Sequence, residues 1–150
     1  MKNRLSLIAL LIAMSFAFFS CEDDEVTPVD SSLPSGTFTP SKSGSFVAQN
    51  GTSSAGIAQL GTDAQGASFL YFGPNFTTEL GTGTVPVYLS TSNTFTPDPA
   101  NGNPNLKLVG GVFRNGQTYF KLNSTPEAKF THVILWCGSA GIPFGFAPLQ

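Results

Sequence analysis

The sequence predicts an all-β domain: an antiparallel β-sandwich of about eight or nine short strands, set behind a cleaved leader and a flexible tether. Three observations predict it. No window of about 12 residues or more sustains a 3.6-residue apolar period without an interrupting Gly or Pro. Glu is scarce, at Glu22, Glu25, Glu79 and Glu127, while the 14 Phe favour strands over helices. Short apolar runs recur instead, punctuated by the turn dipeptides Asn50-Gly51, Asn101-Gly102 and Asn115-Gly116.

Taken in order, the strand candidates begin with three weak runs, Gly36–Thr39, Ser45–Gln49 and Ala55–Leu60, followed by a stronger one at Ala67–Phe72. Val85–Ser90 alternates, with Val85, Val87 and Leu89 on one face and Tyr88 on the other. Thr96–Pro104 holds Pro97, Pro99 and Pro104 and reads as a long loop before Leu106–Val109. Thr118–Leu122 turns Phe120 and Leu122 inward and Tyr119 and Lys121 outward. Thr131–Cys137 is apolar on both faces, as a central strand covered on both sides would be. Ile142–Phe146 alternates Ile, Phe and Phe and closes the domain.

The chain of 150 residues divides into three segments. Residues 1–20 carry Lys2 and Arg4 ahead of an apolar stretch from Leu5 to Phe19, shorter than the ~20 residues that span a bilayer. That is the profile of a secretory signal peptide. Phe18-Phe19-Ser20-Cys21 resembles a bacterial lipobox, with Phe18 where Leu is usual, so Cys21 is the expected lipidation site. Residues 21–34 open with the acidic run Glu22-Asp23-Asp24-Glu25 and continue rich in Pro, Ser and Thr, a solvated tether. The acidic run resembles the surface-export signal of Bacteroidetes lipoproteins. The expected location is therefore the bacterial outer membrane, lipid-anchored and facing the exterior. Residues 35–150 form the domain, long enough to bury roughly two-thirds of its unfolded surface.

Charge excludes several functions. The formal net charge is −2 and no basic cluster exists, so no nucleic-acid partner is expected. Within the domain, Lys42, Lys107, Arg114, Lys121 and Lys129 face Asp63, Glu79, Asp98 and Glu127. These carboxylates are isolated, which argues against paired-carboxylate glycoside hydrolysis. No Gly-x-Ser-x-Gly elbow occurs. An enzyme is not the expected reading, and no catalytic residue is assigned.

The two cysteines carry the chemistry. If Cys21 is acylated, Cys137 is the one thiol left and no intramolecular disulfide forms. Cys137 is then either a buried, inert core residue or a functional thiol. His132, the only histidine, stands five residues before Cys137, an odd offset that puts the two on opposite faces of a strand. They cannot share a metal, so no metal site is expected.

The last third carries a resemblance. Gly116-Gln117-Thr118-Tyr119-Phe120-Lys121-Leu122, then Phe130–Cys137 ending in Trp136-Cys137, then Phe144-Gly145-Phe146-Ala147 resemble the electron-transfer DM-thirteen domain of Skeletor-type cell-surface proteins and bacterial lipoproteins. Ser35-Gly36-Thr37-Phe38 and Val85–Ser90 resemble it too, while Thr84-Val85-Pro86 stands where the family often has Gly-Pro-Asp-Leu. The resemblance implies a β-sandwich related to DOMON domains. It makes Cys137 a redox thiol or a prosthetic-group ligand, with haem one such group, and Trp136, Phe144 and Phe146 the walls of its pocket. The alternative is a structural or ligand-binding sandwich that meets a glycan or a surface protein, for instance through the loop Asn93–Asn105, with Cys137 packed in the core.

Overall fold

The computed structural model describes residues 32–97 and 102–150. The expected leader, the expected lipidation site Cys21 and nearly all of the expected tether lie outside the described residues. Nine strands form, all in antiparallel pairs, and no described residue is helical. They are β1 (Thr39–Ser45), β2 (Val47–Ala48), β3 (Ile57–Thr62), β4 (Ser68–Phe72), β5 (Val85–Ser90), β6 (Leu106–Val112), β7 (Thr118–Lys121), β8 (His132–Cys137) and β9 (Ile142–Pro148). One sheet runs β1-β3-β4-β7 and the other β2-β9-β8-β5-β6.

The core follows from period-two alternation. Val85, Val87 and Leu89 of β5 and Val133, Leu135 and Cys137 of β8 point inward, opposite Leu70 and Phe72 of β4. Phe72 is the hub. Its ring lies 5.0 Å from Phe46, 4.5 Å from Phe76 and 5.2 Å from Phe120. Of these, only Phe120 belongs to the strand that pairs with β4, so aromatic contacts bind loop residues and strands into one interior.

The chain switches sheets at Phe46, between β1 and β2. β2 pairs with β9, whereas Ser43 in β1 exchanges two backbone hydrogen bonds with Gln150 just beyond β9. β9 and the residues after it therefore bridge both sheets along one side of the sandwich. Gly44 sits at that seam, where a Cβ would stand 1.7 Å from the Pro148 carbonyl oxygen.

β1 corrects the expected strand Gly36–Thr39. Residues 36–38 are unpaired as a strand, and Phe38 instead lays its ring on Tyr71 and Tyr119 outside the four-stranded sheet. The true strand is the polar TPSKSGS, an edge strand with a bulge between Pro40 and Lys42.

Asp63 clasps the start of the domain. Its carboxylate accepts hydrogen bonds from the backbone N–H of Ser35, Gln65 and Ala67, each at 2.9 Å. The Ser35 amide, ahead of those of Ala67 and Gln65, holds this carboxyl below its ordinary range against the opposing effect of burial. Its folded value lies below the unfolded one, so the unfolded chain takes up the proton first as pH falls. The stabilisation is complete above the unfolded value of about 3.9 and is lost as pH drops through the folded one. Asp63→Asn is expected to flatten the acid limb of stability, checked by urea midpoints in steps from about pH 5 to pH 2.

Candidate functional site

Cys137 ends β8 at the loop-rich end of the sandwich, and its thiol is free. The β8–β9 turn, Gly138 to Gly141, follows at once and is exposed throughout. Gly141 closes it with φ +67°, a conformation that suits glycine, and donates its N–H to the Cys137 carbonyl at 2.8 Å. The turn thus folds back over the cysteine that precedes it.

Three polar groups surround the sulfur. Thr82 Oγ1 stands at 3.4 Å, Ser139 Oγ at 3.3 Å, and the Ala140 N–H donates to it from 3.4 Å. In the thiol form, S–H donates to Thr82. In the thiolate form both hydroxyls can rotate to donate, because a hydroxyl is donor and acceptor alike. The Ser139 hydroxyl, then that of Thr82, holds the Cys137 thiol below its ordinary range, while burial pulls the other way. No cation is needed for this effect.

The sulfur is covered but lies close to the surface. Cys137 is 1% exposed, yet Thr82, Ser139 and Ala140 above it are all exposed. Its cover is one threonine and one small turn rather than a packed layer.

The structure does not bring the expected pocket residues together around Cys137. Phe144 shares the inner face with it. Trp136 and Phe146 lie on the outer face of the five-stranded sheet, where Trp136 stacks on Phe95 at 3.9 Å and Phe146 lies 6.2 Å from His132. Strand alternation is the reason: residues next to an inward position point out. A bulge between Leu135 and Trp136 keeps both Phe144 and Gly145 opposite Leu135 and so restores Phe146 to the outside.

The residues present do not fit a haem at Cys137. The sulfur faces a filled core that includes Val85, Leu135 and Phe144, and the sole histidine is on the other face. Three clefts, of about 360, 230 and 410 Å3, lie beside Thr94, Lys42 and Arg114, and none of the three is lined by Cys137. Among the described residues, no three or more His, Cys, Asp or Glu side chains gather as a metal site. No helix of the described residues is long and apolar enough to cross a membrane.

Two contributors escaped the sequence. Thr82 is remote from Cys137 in the chain and nothing local marks it. Phe95 is the one aromatic in a loop of Ser, Thr, Asn and Pro, and that isolation is the available signal. Comparison with family models, with curated proteins and with solved structures finds no match for this chain.

Proposed function

We propose that this chain is a lipid-anchored cell-surface protein of the bacterial outer membrane, tethered through Cys21, whose sandwich is a redox module of the electron-transfer DM-thirteen type. The observation that carries the reading is the polar nest around Cys137: the Ala140 N–H and two hydroxyls, that of Thr82 accepting from the thiol, converge on a free cysteine under a thin polar cover. Such a nest stabilises thiolate, the nucleophilic form. The resemblance in Trp136-Cys137 and Phe144–Ala147 supports the same residue.

The chemistry is thiol–disulfide exchange. The Cys137 thiolate attacks one sulfur of an external disulfide, a new S–S bond forms, the old one breaks, and the electron pair leaves on the displaced thiolate. With no second thiol on the described domain, the mixed disulfide is resolved by a thiol from outside. Opening the Gly138–Gly141 turn admits the partner.

Two measurements test this. Thiolate absorbance near 240 nm, followed against pH, is expected to titrate below the ordinary cysteine value of about 8.5. Ser139→Ala and Thr82→Val are expected to raise that midpoint. The native domain is expected to form a mixed disulfide with oxidised glutathione, seen by mass spectrometry. A thiol that reacts only after denaturation, with an unshifted midpoint, refutes the proposal and leaves Cys137 as packing.

A second reading, a ligand-binding sandwich, is favoured by a different observation on the opposite face.

A further inference from the structure

Sandwich sheets place apolar residues inward and polar ones outward. The outer face of the five-stranded sheet departs from that rule. One cross-strand row runs Val47–Phe146–Ile134–Tyr88–Leu108 from edge to edge. The neighbouring row, Pro148–His132–Ser90–Leu106, is also free of acids, lysines and arginines. Burial holds the His132 ring below its ordinary value and hence neutral near pH 7. The outer face of the four-stranded sheet also holds aromatic rings, Phe38, Phe69, Tyr71 and Tyr119, but sets them among Ser43, Gln59 and Lys121.

The β5–β6 loop adds two features. Phe95 reaches back along the sheet to stack on Trp136, with rings 16° from parallel, and meets Tyr88 edge-on at 5.1 Å. Its neighbours Thr94 and Thr96, with Ser92, Asn103 and Asn105, line the cleft of about 360 Å3. Every polar side chain lining that cleft is a hydroxyl or a carboxamide. The described residues of this loop thus present aromatic surface on one side and neutral donors and acceptors on the other.

We propose that this face binds a neutral polysaccharide chain, laid along Phe95, Trp136, Phe146 and Val47 with its hydroxyls toward the β5–β6 loop. A sugar ring has a C–H face that packs on aromatic rings and an equatorial rim of groups that both donate and accept. Among the described residues of the two rows and the cleft, a charged partner finds no acid, lysine or arginine. A protein partner, a second copy included, is disfavoured by area. Four interstrand steps of about 4.8 Å by some 20 Å of strand give about 400 Å2, half of the ~800 Å2 a stable interface buries per partner. Val47 is 48% exposed at one edge and Leu108 61% at the other, so the face is open at both ends, while Ile134 and Ser90 at its centre are covered. An open face suits the interior of a chain rather than its terminus. The site is independent of Cys137, which points to the other side of β8.

Trp136 is the only tryptophan, so its emission reports on the site directly. The folded protein is titrated with dextran, galactomannan and xyloglucan, and with polygalacturonate and chondroitin sulfate as charged controls. A saturable change is expected with at least one neutral polymer and none with the charged ones. Phe95→Ala and the surface variant Val47→Lys are each expected to weaken binding about three- to tenfold, the worth of one aromatic or apolar contact. Cys137→Ser is expected to leave it unchanged, which separates this site from the thiol. The proposal is overturned by no response to any neutral polymer, by a response unaltered in both variants, or by a concentration-dependent dimer in light scattering that Val47→Lys abolishes.

Discussion

Phe72→Ala is expected to destabilise the domain by about 3–5 kcal/mol, the range for removing a large buried aromatic. Phe72 is 0% exposed and touches three other rings at 4.5–5.2 Å. Those rings come from the β1–β2 link, the segment after β4, and β7. Truncation leaves a cavity that none of them can fill alone, because each is held by its own backbone. Phe72→Leu keeps most of the volume and is expected to cost less than half as much. Urea unfolding followed by circular dichroism measures both, and equal losses would mean that the ring contacts, and not the filled volume, carry the stabilisation. A native midpoint in Phe72→Ala would show that the core relaxes freely around this position.

Gly44→Ala is expected to be nearly as damaging although it adds one methyl group, at about 3 kcal/mol or more. The added Cβ would stand 1.7 Å from the Pro148 carbonyl oxygen and 2.7 Å from its carbon. Both are backbone atoms, so no side chain can swing aside. Either β1 lifts from the seam and loses the Ser43–Gln150 hydrogen bonds, or β9 shifts against β8. Gly51→Ala is the control. Gly51 has φ +73° but nothing within 4 Å of its Cβ position, so strain alone of about 1 kcal/mol is expected. Melting temperatures of the two variants separate backbone clash from backbone conformation. Equal shifts would count against the seam.

Much of this architecture was legible because two neighbouring strands obey simple rules. β5 reads as alternation with Val85, Val87 and Leu89 inward, and β8 reads as apolar on both faces. Ile134 explains the second: it faces outward, opposite Tyr88, yet is fully buried. The Asn50-Gly51 turn was equally plain, and both residues take positive φ, at 52° and 73°. β1 was not legible, since a polar edge strand carries no hydrophobic period. The candidate site was legible only in part. Cys137 could be singled out by counting thiols, and its separation from His132 followed from an odd offset. The hydroxyls that surround it could not, because Thr82 meets Cys137 only through the order of strands in the sheet. Trp136 and Phe146 were misplaced for another reason: the resemblance grouped them with the cysteine as pocket walls, while the pleat and the β9 bulge send both to the outer face.

The seam at Gly44 also sets an order of events in time. β1 is the first strand of the domain, and the groups that hold its outer edge, away from β3, at Ser43 and Gly44 are Pro148 and Gln150, supplied almost a domain away. Loop-closure entropy must be overcome before such a contact returns anything, so closure of this side belongs late on the folding path, after local hairpins such as β3–β4 and β8–β9. Until then β1 is an open edge with Thr, Ser and Lys rather than apolar side chains along it. The polarity that hid this strand from the sequence reading is what keeps the half-folded chain from pairing with another through that edge while it waits for β9.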